Sequence, residues 1–242
     1  MLVEVIKTAK ITTDSGSILE ILDAYLPKLK EGSVVAITSK IVAICEGSVA
    51  PLGSNKQALV AAQSQRYLPA EMSKYRISLA VKNHIMIPHA GIDESNSNGM
   101  YTLWPQHPAE SAIEIRAHLM KRDGLTRLGV VITDSTTAPL RTGTSGISVA
   151  SAGFEPVNSY IGRPDLFGRP LEYSQSSVAH GLAVAAVLLM GEGVEQTPLV
   201  VIQDVPFVTF TDTPSTEPAI SIEDDLYAPL LTAVEWHEGG AK

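Results

Sequence analysis

The chain has 242 residues, 45% of them hydrophobic and 18% charged, with a formal net charge of −8. This is the composition of a folded globular protein, and the acidic balance argues against a nucleic-acid partner, which calls for a basic face. It leaves a phosphate ligand open, provided that metal ions mediate, while the one cysteine, Cys45, excludes an internal disulfide or a cysteine-rich zinc site and suits a reducing cytoplasm.

The opening run has acid and base inside an alternating apolar pattern, so residues 4–11 read as a first strand and not as a signal peptide. Residues 15–32 read as an amphipathic helix, with Ile18, Ile21, Leu22 and Tyr25 at helical spacing behind a serine cap. The run "SVVAITSKIVAICEGSV" reads as a strand, a turn or short helix at "TSK", and more apolar chain to Gly47. Residues 55–68 suggest a second helix and residues 77–92 a hairpin. Pro108 opens and Gly124 closes a third helix.

Residues 127–153 read as a buried strand, a polar loop and a second small-residue run, and residues 155–177 are turn-rich. "GLAVAAVLLMG" is a buried helix, far short of the roughly 20 residues that a membrane span needs. An apolar strand or pair of strands follows over 197–210. A C-terminal helix is expected over 221–239, with acids in its first turn, and a frayed tail over 238–242. No repeat or linker divides the chain, so one domain spans 1–242, with two lobes as an option. Helices mixed with hairpin-type strands predict an α+β class with mixed or antiparallel sheets.

Three acids stand at the ends of apolar segments, flanked by small residues. Asp93 lies in "HAGIDESNSNG", where Asp and Asn side chains commonly close their own turn. Asp134 and Ser135 end the run "GVVITDS", and a carboxylate there is placed to hold a divalent cation through hard oxygens. Arg141 and the run from Gly143 to Gly146 follow, small residues that could cradle phosphate. Glu192 sits between Gly191 and Gly193, where a plain helix cap is the simpler alternative. Taken together, the three suggest a shared metal cluster, because an isolated acid beside buried structure calls for compensation. Ser39 and Lys40 occupy a break between apolar runs, where Lys40 could neutralise a phosphate. Arg163 and Arg169 could clamp an anionic substrate from a Gly/Pro-rich loop. No P-loop or dinucleotide glycine fingerprint occurs.

Five blocks in this order, "TSKIV" with "EG", "AGIDESN", "GVVITDS" with "PLR", "IGRPDLFGRPL", and "LLMGEG" with "TPLVVI", resemble the coenzyme F-420 γ-glutamyl ligase family from about Val5 to Asp204. "IPHAGIDESNSNGMYTLWP" and "IEDDLYAPLL" are similar to a branch labelled as folate-metabolism γ-glutamate ligases. The resemblance implies a γ-glutamyl ligase-type α+β fold in an intertwined homodimer. It implies cytoplasmic amide-bond formation with GTP as co-substrate, ATP being the alternative. Mg²⁺ or Mn²⁺ is implied, with up to two ions, and K⁺ is a further candidate.

Carried over by position, Asp93, Asp134, Ser135 and Glu192 are the implied metal ligands, and Ser39, Lys40, Asn96, Gly191, Glu192 and Gly193 the implied nucleotide contacts. Asp134, Lys40 and Arg141 are the candidate catalytic residues, with Arg141 or Lys40 stabilising the transferring group, and Arg163 and Arg169 stay the candidate substrate clamp of the loop reading. The substrates are small molecules: nucleotide, L-glutamate and a carboxylate. The chain departs from the family at Ile44, at Thr144 to Gly146 and at His180-Gly181, which points to a changed substrate pocket. The competing readings are a non-catalytic nucleotide- or metal-binding homologue and a metal-dependent phosphohydrolase on the same fold.

Overall fold

Residues 34–37 and 128–133 are unbroken apolar or small runs, the pattern of strands covered on both faces. In the computed structural model, which describes residues 1–213 and 219–241, both runs lie at the centre of a five-stranded sheet. The elements in chain order are β1 (Leu2–Ile6), α1 (Ile18–Tyr25), β2 (Ser33–Thr38), α2 (Ser39–Cys45), β3 (Val49–Pro51), α3 (Lys56–Gln63), β4 (Arg66–Leu68), β5 (Leu79–Lys82), β6 (Ile85–Pro88), β7 (Met100–Thr102), α4 (Pro108–Asp123), β8 (Leu128–Thr137), β9 (Thr144–Ala152), β10 (Val157–Ser159), β11 (Gln175–Ser177), α5 (Val178–Met190), β12 (Leu199–Gln203), α6 (Ala228–Leu231) and β13 (His237–Glu238).

The large sheet runs β1-β12-β2-β8-β9. The β2–β8 pair is parallel and the other neighbours are antiparallel. Alternation along β2 and β8 sends Val35, Ile37, Val130 and Ile132 to one core, shared with α1 and α4. Val34, Ala36 and Val131 face the other core, filled by α5. Gly146 on β9 lies under the Ala183 carbonyl of α5, where a side chain would meet backbone, so the helix can lie close to the strand. Smaller sheets order as β13-β4-β5-β6, β3-β7 and β10-β11. The class is α+β, as the mixed pattern predicts.

Local chemistry accounts for most boundaries. Ser17 and Glu20 form a complete capping box at α1. Asn55 caps α3 by accepting from Gln57 and Ala58 N–H groups. α4 starts at Pro108 and stops at Gly124 in the left-handed region. The β5–β6 hairpin turns at Asn83 and His84, both at positive φ.

One expectation is sharpened and four need correction. The turn or short helix expected at "TSK" is the helix α2, which takes in the apolar chain through Cys45. Residues 204–210 form no second strand; among them only Phe210 makes a β-bridge, to Phe154. Thr144 to Gly146 belong to β9 and pair with Ser135 to Thr137, so their backbone continues a hairpin instead of forming a phosphate loop. The C-terminal helix is one turn, Ala228–Leu231. It gives way where the Trp236 indole donates to the Leu231 carbonyl and the chain turns to pair His237–Glu238 with β4. The tail expected to fray is held through residue 241, with Gly239, Gly240 and Ala241 N–H groups donating to Gln65, Ala61 and Ser64 carbonyls.

Candidate active site

A cavity of about 740 Å³ opens where β1, β2, β8 and α5 end. Five stretches line it: residues 8–12, 38–44, 93–98, 134–135 and 187–198. Its apolar side is Ile41, Ile44, Val187 and Met190. Its polar side carries Lys40, Asp93, Asn96, Asp134, Ser135 and Glu192. The three acids that stand apart in sequence therefore share one cavity.

Asp93 is held by an unusual approach. His89, Ala90 and Gly91 take φ values of 51°, 56° and 74°, three left-handed residues in succession. Each non-glycine residue there costs about 1 kcal/mol, offset by the burial of Ala90 in a small core with Val60, Ala80, Ile92 and Tyr101. Beyond it Asp93 closes an Asx turn: Oδ1 accepts from the Ser95 N–H at 2.8 Å and Oδ2 from the Ser95 hydroxyl at 2.9 Å. The common turn and the carboxylate holder are thus the same structure. Lys40 Nζ lies 2.6 Å from Asp93 Oδ2 and also donates to the Ser95 carbonyl. Partial burial pushes the Asp93 carboxyl up, but the Lys40 ammonium and the Ser95 N–H outweigh it and hold it below the usual range.

Asp134 is reached through an irregularity. The β8–β9 register shifts between Ile132 and Thr133, so Val149 is the extra residue of a bulge just before the site. Asp134 Oδ1 accepts from the Ser135 N–H at 2.8 Å, and Oδ2 accepts from the Trp104 indole N–H. Desolvation raises this carboxyl to about 6, with the nearby Asp93 charge adding to the rise and the two hydrogen bonds opposing it.

Ser135 points to the other face of the strand. Its hydroxyl donates to Glu192 Oε2 at 3.2 Å, and Thr144 donates to Oε1 at 3.1 Å. The glycines beside Glu192 belong to a loop folded on Glu195, which accepts from the Gly193 N–H at 2.8 Å. Asn96 Nδ2 donates to the Gly193 carbonyl at 2.9 Å, joining the Asp93 turn to the Glu192 loop across the cavity.

The remaining predicted residues lie elsewhere. Ser39 is buried and does not line the cavity. Arg141 stands in the β8–β9 turn and Arg163 and Arg169 in the β10–β11 loop, all away from the cavity within one chain. The sequence reading missed Thr8 to Thr12, which follow β1 and close one wall, and Trp104. The signal for Trp104 was its indole N–H, which needs a partner when buried.

Asp93, Asp134, Ser135 and Glu192 all offer oxygen, which suits Mg²⁺ or Mn²⁺ over a soft metal. The set fits such an ion chemically, although Lys40 stands on Asp93 as the cation of that position. Among the described residues no three His, Cys, Asp or Glu side chains converge as a metal-binding group. Among these donors Ser135 is hydrogen-bonded to Glu192, and Asp93 is near enough to Asp134 for its charge to help raise that carboxyl.

Comparison with known proteins gives this geometry its context. Residues 6–204 match the model of a family described as F420-0:gamma-glutamyl ligase. The chain belongs to the F420-0:gamma-glutamyl ligase family. It is 34% identical over 202 residues to the coenzyme F420:L-glutamate ligase of Methanosarcina mazei, covering 76% of this chain and 79% of that protein. The proteins of the same name from Methanocaldococcus jannaschii and Methanothermobacter thermautotrophicus are 30% and 32% identical, each over 74% of this chain and over 79% and 77% of their own. All the acids of the cavity lie within the stretch matched to the gamma-glutamyl ligase family. No helix among the described residues is long and apolar enough to cross a membrane.

Proposed function

We propose that this chain is a γ-glutamyl ligase dependent on a nucleotide and a divalent metal. It joins L-glutamate to a carboxylate substrate, a coenzyme F-420 precursor or a folate-like acid, through an acyl phosphate. GTP is the proposed co-substrate, with Mg²⁺ or Mn²⁺, up to two ions, and K⁺ as an accessory ion. The observation that carries the reading is the gathering of Asp93, Asp134 and Glu192 with Lys40 and Asn96 around one cavity, within the stretch matched to the family.

The substrate carboxylate attacks the γ-phosphorus and the nucleoside diphosphate leaves. The glutamate amine then attacks the acyl carbon, loses a proton and expels phosphate. A divalent ion, when bound, neutralises charge on the phosphates. Asp93, Asp134, Ser135 and Glu192 are the residues that would hold it. Lys40, 25% exposed at the cavity wall, is the ammonium available to a transferring phosphoryl group. The clasp between Asn96 and Gly193 keeps the two acidic loops in register, and the apolar wall of Ile41, Ile44, Val187 and Met190 limits water around a hydrolysable intermediate.

The reading includes a homodimer. Leu140, Leu166 and Phe167 are almost fully exposed on the same arms that carry Arg141, Arg163 and Arg169. Leu166 and Phe167 are consecutive, and adjoining exposed apolar side chains mark interaction surfaces where single ones do not, which supports arms that pack on a second copy and bring their arginines to its cavity.

The test is phosphate release from GTP and from ATP with Mn²⁺ or Mg²⁺, with and without L-glutamate and a panel of carboxylates. Release that needs both glutamate and one carboxylate is expected. Release that needs no amine would make the protein a phosphohydrolase, and nucleotide binding without turnover a binding homologue.

A further inference from the structure

Trp104 is buried, at 1% exposure, and is fixed at both ends. Its carbonyl accepts from the Ser48 hydroxyl at 3.0 Å, and its indole N–H donates to Asp134 Oδ2. The ring lies against residue 91, where any Cβ would fall inside the indole, so glycine is required on steric grounds as well as for its φ of 74°. Lys82 Nζ stands 5.8 Å from the ring centre on another side, held by Gln63.

The backbone leading to Trp104 belongs to the Asp93 unit. Asp93 and Thr102 form an isolated antiparallel bridge, with Asp93 N–H donating to the Thr102 carbonyl at 3.0 Å and Thr102 N–H returning to Asp93 at 2.7 Å. Two residues later the indole crosses to β8. Asp93 and Asp134 come from segments about 40 residues apart, and Trp104 links them.

We propose that Trp104 is a positioning residue that fixes the Asp134 carboxylate relative to Asp93, so that the pair is set for a divalent cation before one arrives. This rests on the metal-dependent reading above. A free carboxylate rotates about its terminal torsion, and two donors, Ser135 N–H and the indole, leave it one orientation. Hydrogen-bond partners that orient metal ligands typically change metal affinity 10- to 100-fold when removed. Trp104 does not line the cavity, so its effect on the site runs through Asp134.

The test is Mn²⁺ binding by calorimetry to wild type and to Trp104→Phe, which keeps an aromatic ring and removes the N–H. Wild type should bind saturably, and the variant about ten-fold or more weakly, with a thermal midpoint and circular dichroism near wild type. Equal affinity in a folded variant would overturn the inference and leave the metal reading standing. No binding to wild type would remove the metal reading and this inference with it.

Should Trp104→Phe not fold, the wild-type protein answers the question. It has two tryptophans, so nitrogen-15 spectra give two indole signals, assigned with Trp236→Phe. Saturating Mg²⁺ should move the Trp104 signal and leave that of Trp236 in place. A Trp104 signal that stays put would overturn the proposal.

Discussion

The cavity and the arms beside it solve opposite problems. Around the cavity, charge is gathered and partnered: Asp93 with Lys40, Asp134 with Trp104, Glu192 with Ser135 and Thr144. On the arms, the β8–β9 turn and the β10–β11 loop, large apolar side chains stand in water. Desolvated carboxylates cost free energy unless paired, and exposed apolar surface costs free energy until covered. The cavity has met its cost within one chain, and the arms have not.

The largest break in that contrast comes from the cavity. Asp134→Asn keeps the shape and removes the charge, and should lower turnover at least about 1,000-fold, since metal-ion stabilisation contributes several kcal/mol. Turnover near wild type with glutamate and the best carboxylate would rule out its assigned role. On the arm, replacing Leu166 and Phe167 by Asp should convert a two-chain species to one chain at micromolar concentration, read by light scattering. Unchanged mass would show that these side chains are not what holds a second copy.

A third comparison uses Lys82, 6% exposed and without a carboxylate partner among the described residues. Burial lowers its ammonium from 10.5 to about 8. Below pH 8 both states are charged and the fold bears the full desolvation cost. As pH rises from about 8 to 10.5 the folded state releases its proton first, so unfolding free energy rises. Measured against Lys82→Met in urea, wild type should gain up to about 3 kcal/mol across that window. A flat difference would mean that the ammonium is better solvated than its place suggests. The smallest effect is expected at the clasp. Asn96→Ala removes one hydrogen bond to Gly193 and should weaken nucleotide binding by about 1 kcal/mol, about five-fold, by calorimetry.

Where local chemistry decides structure, the sequence was legible. Pro108 and Gly124 bracket α4, and the apolar run from Gly181 to Gly191 falls on the helix α5, Val178–Met190. The acids at 93, 134 and 192 were legible as a set because each ends an apolar segment, and all three line the cavity. What failed to show depended on distant partners. Residues 221–239 have the acids and spacing of a helix, yet Trp236 and the pairing of His237–Glu238 with β4 override that preference. Trp104 went unread because its acceptor lies 30 residues away in the chain. Thr144 to Gly146 looked like a loop because small residues do not reveal a β8 partner.

Side chains alternate along a strand, so Asp134 and Ser135 leave it on opposite sides. Asp134 goes with Trp104 and Asp93, and Ser135 with Glu192, which follows α5. The two halves of the acidic set are therefore separate subscribers to the same cavity. In a double-mutant cycle of Asp134→Asn and Glu192→Gln read by Mn²⁺ calorimetry, losses that add to within about 0.5 kcal/mol would assign the two halves to separate ions, and a larger coupling would assign them to a shared one. In the additive case the independence of the two halves would be a property of the strand itself, inherited from nothing more than the alternation of its side chains.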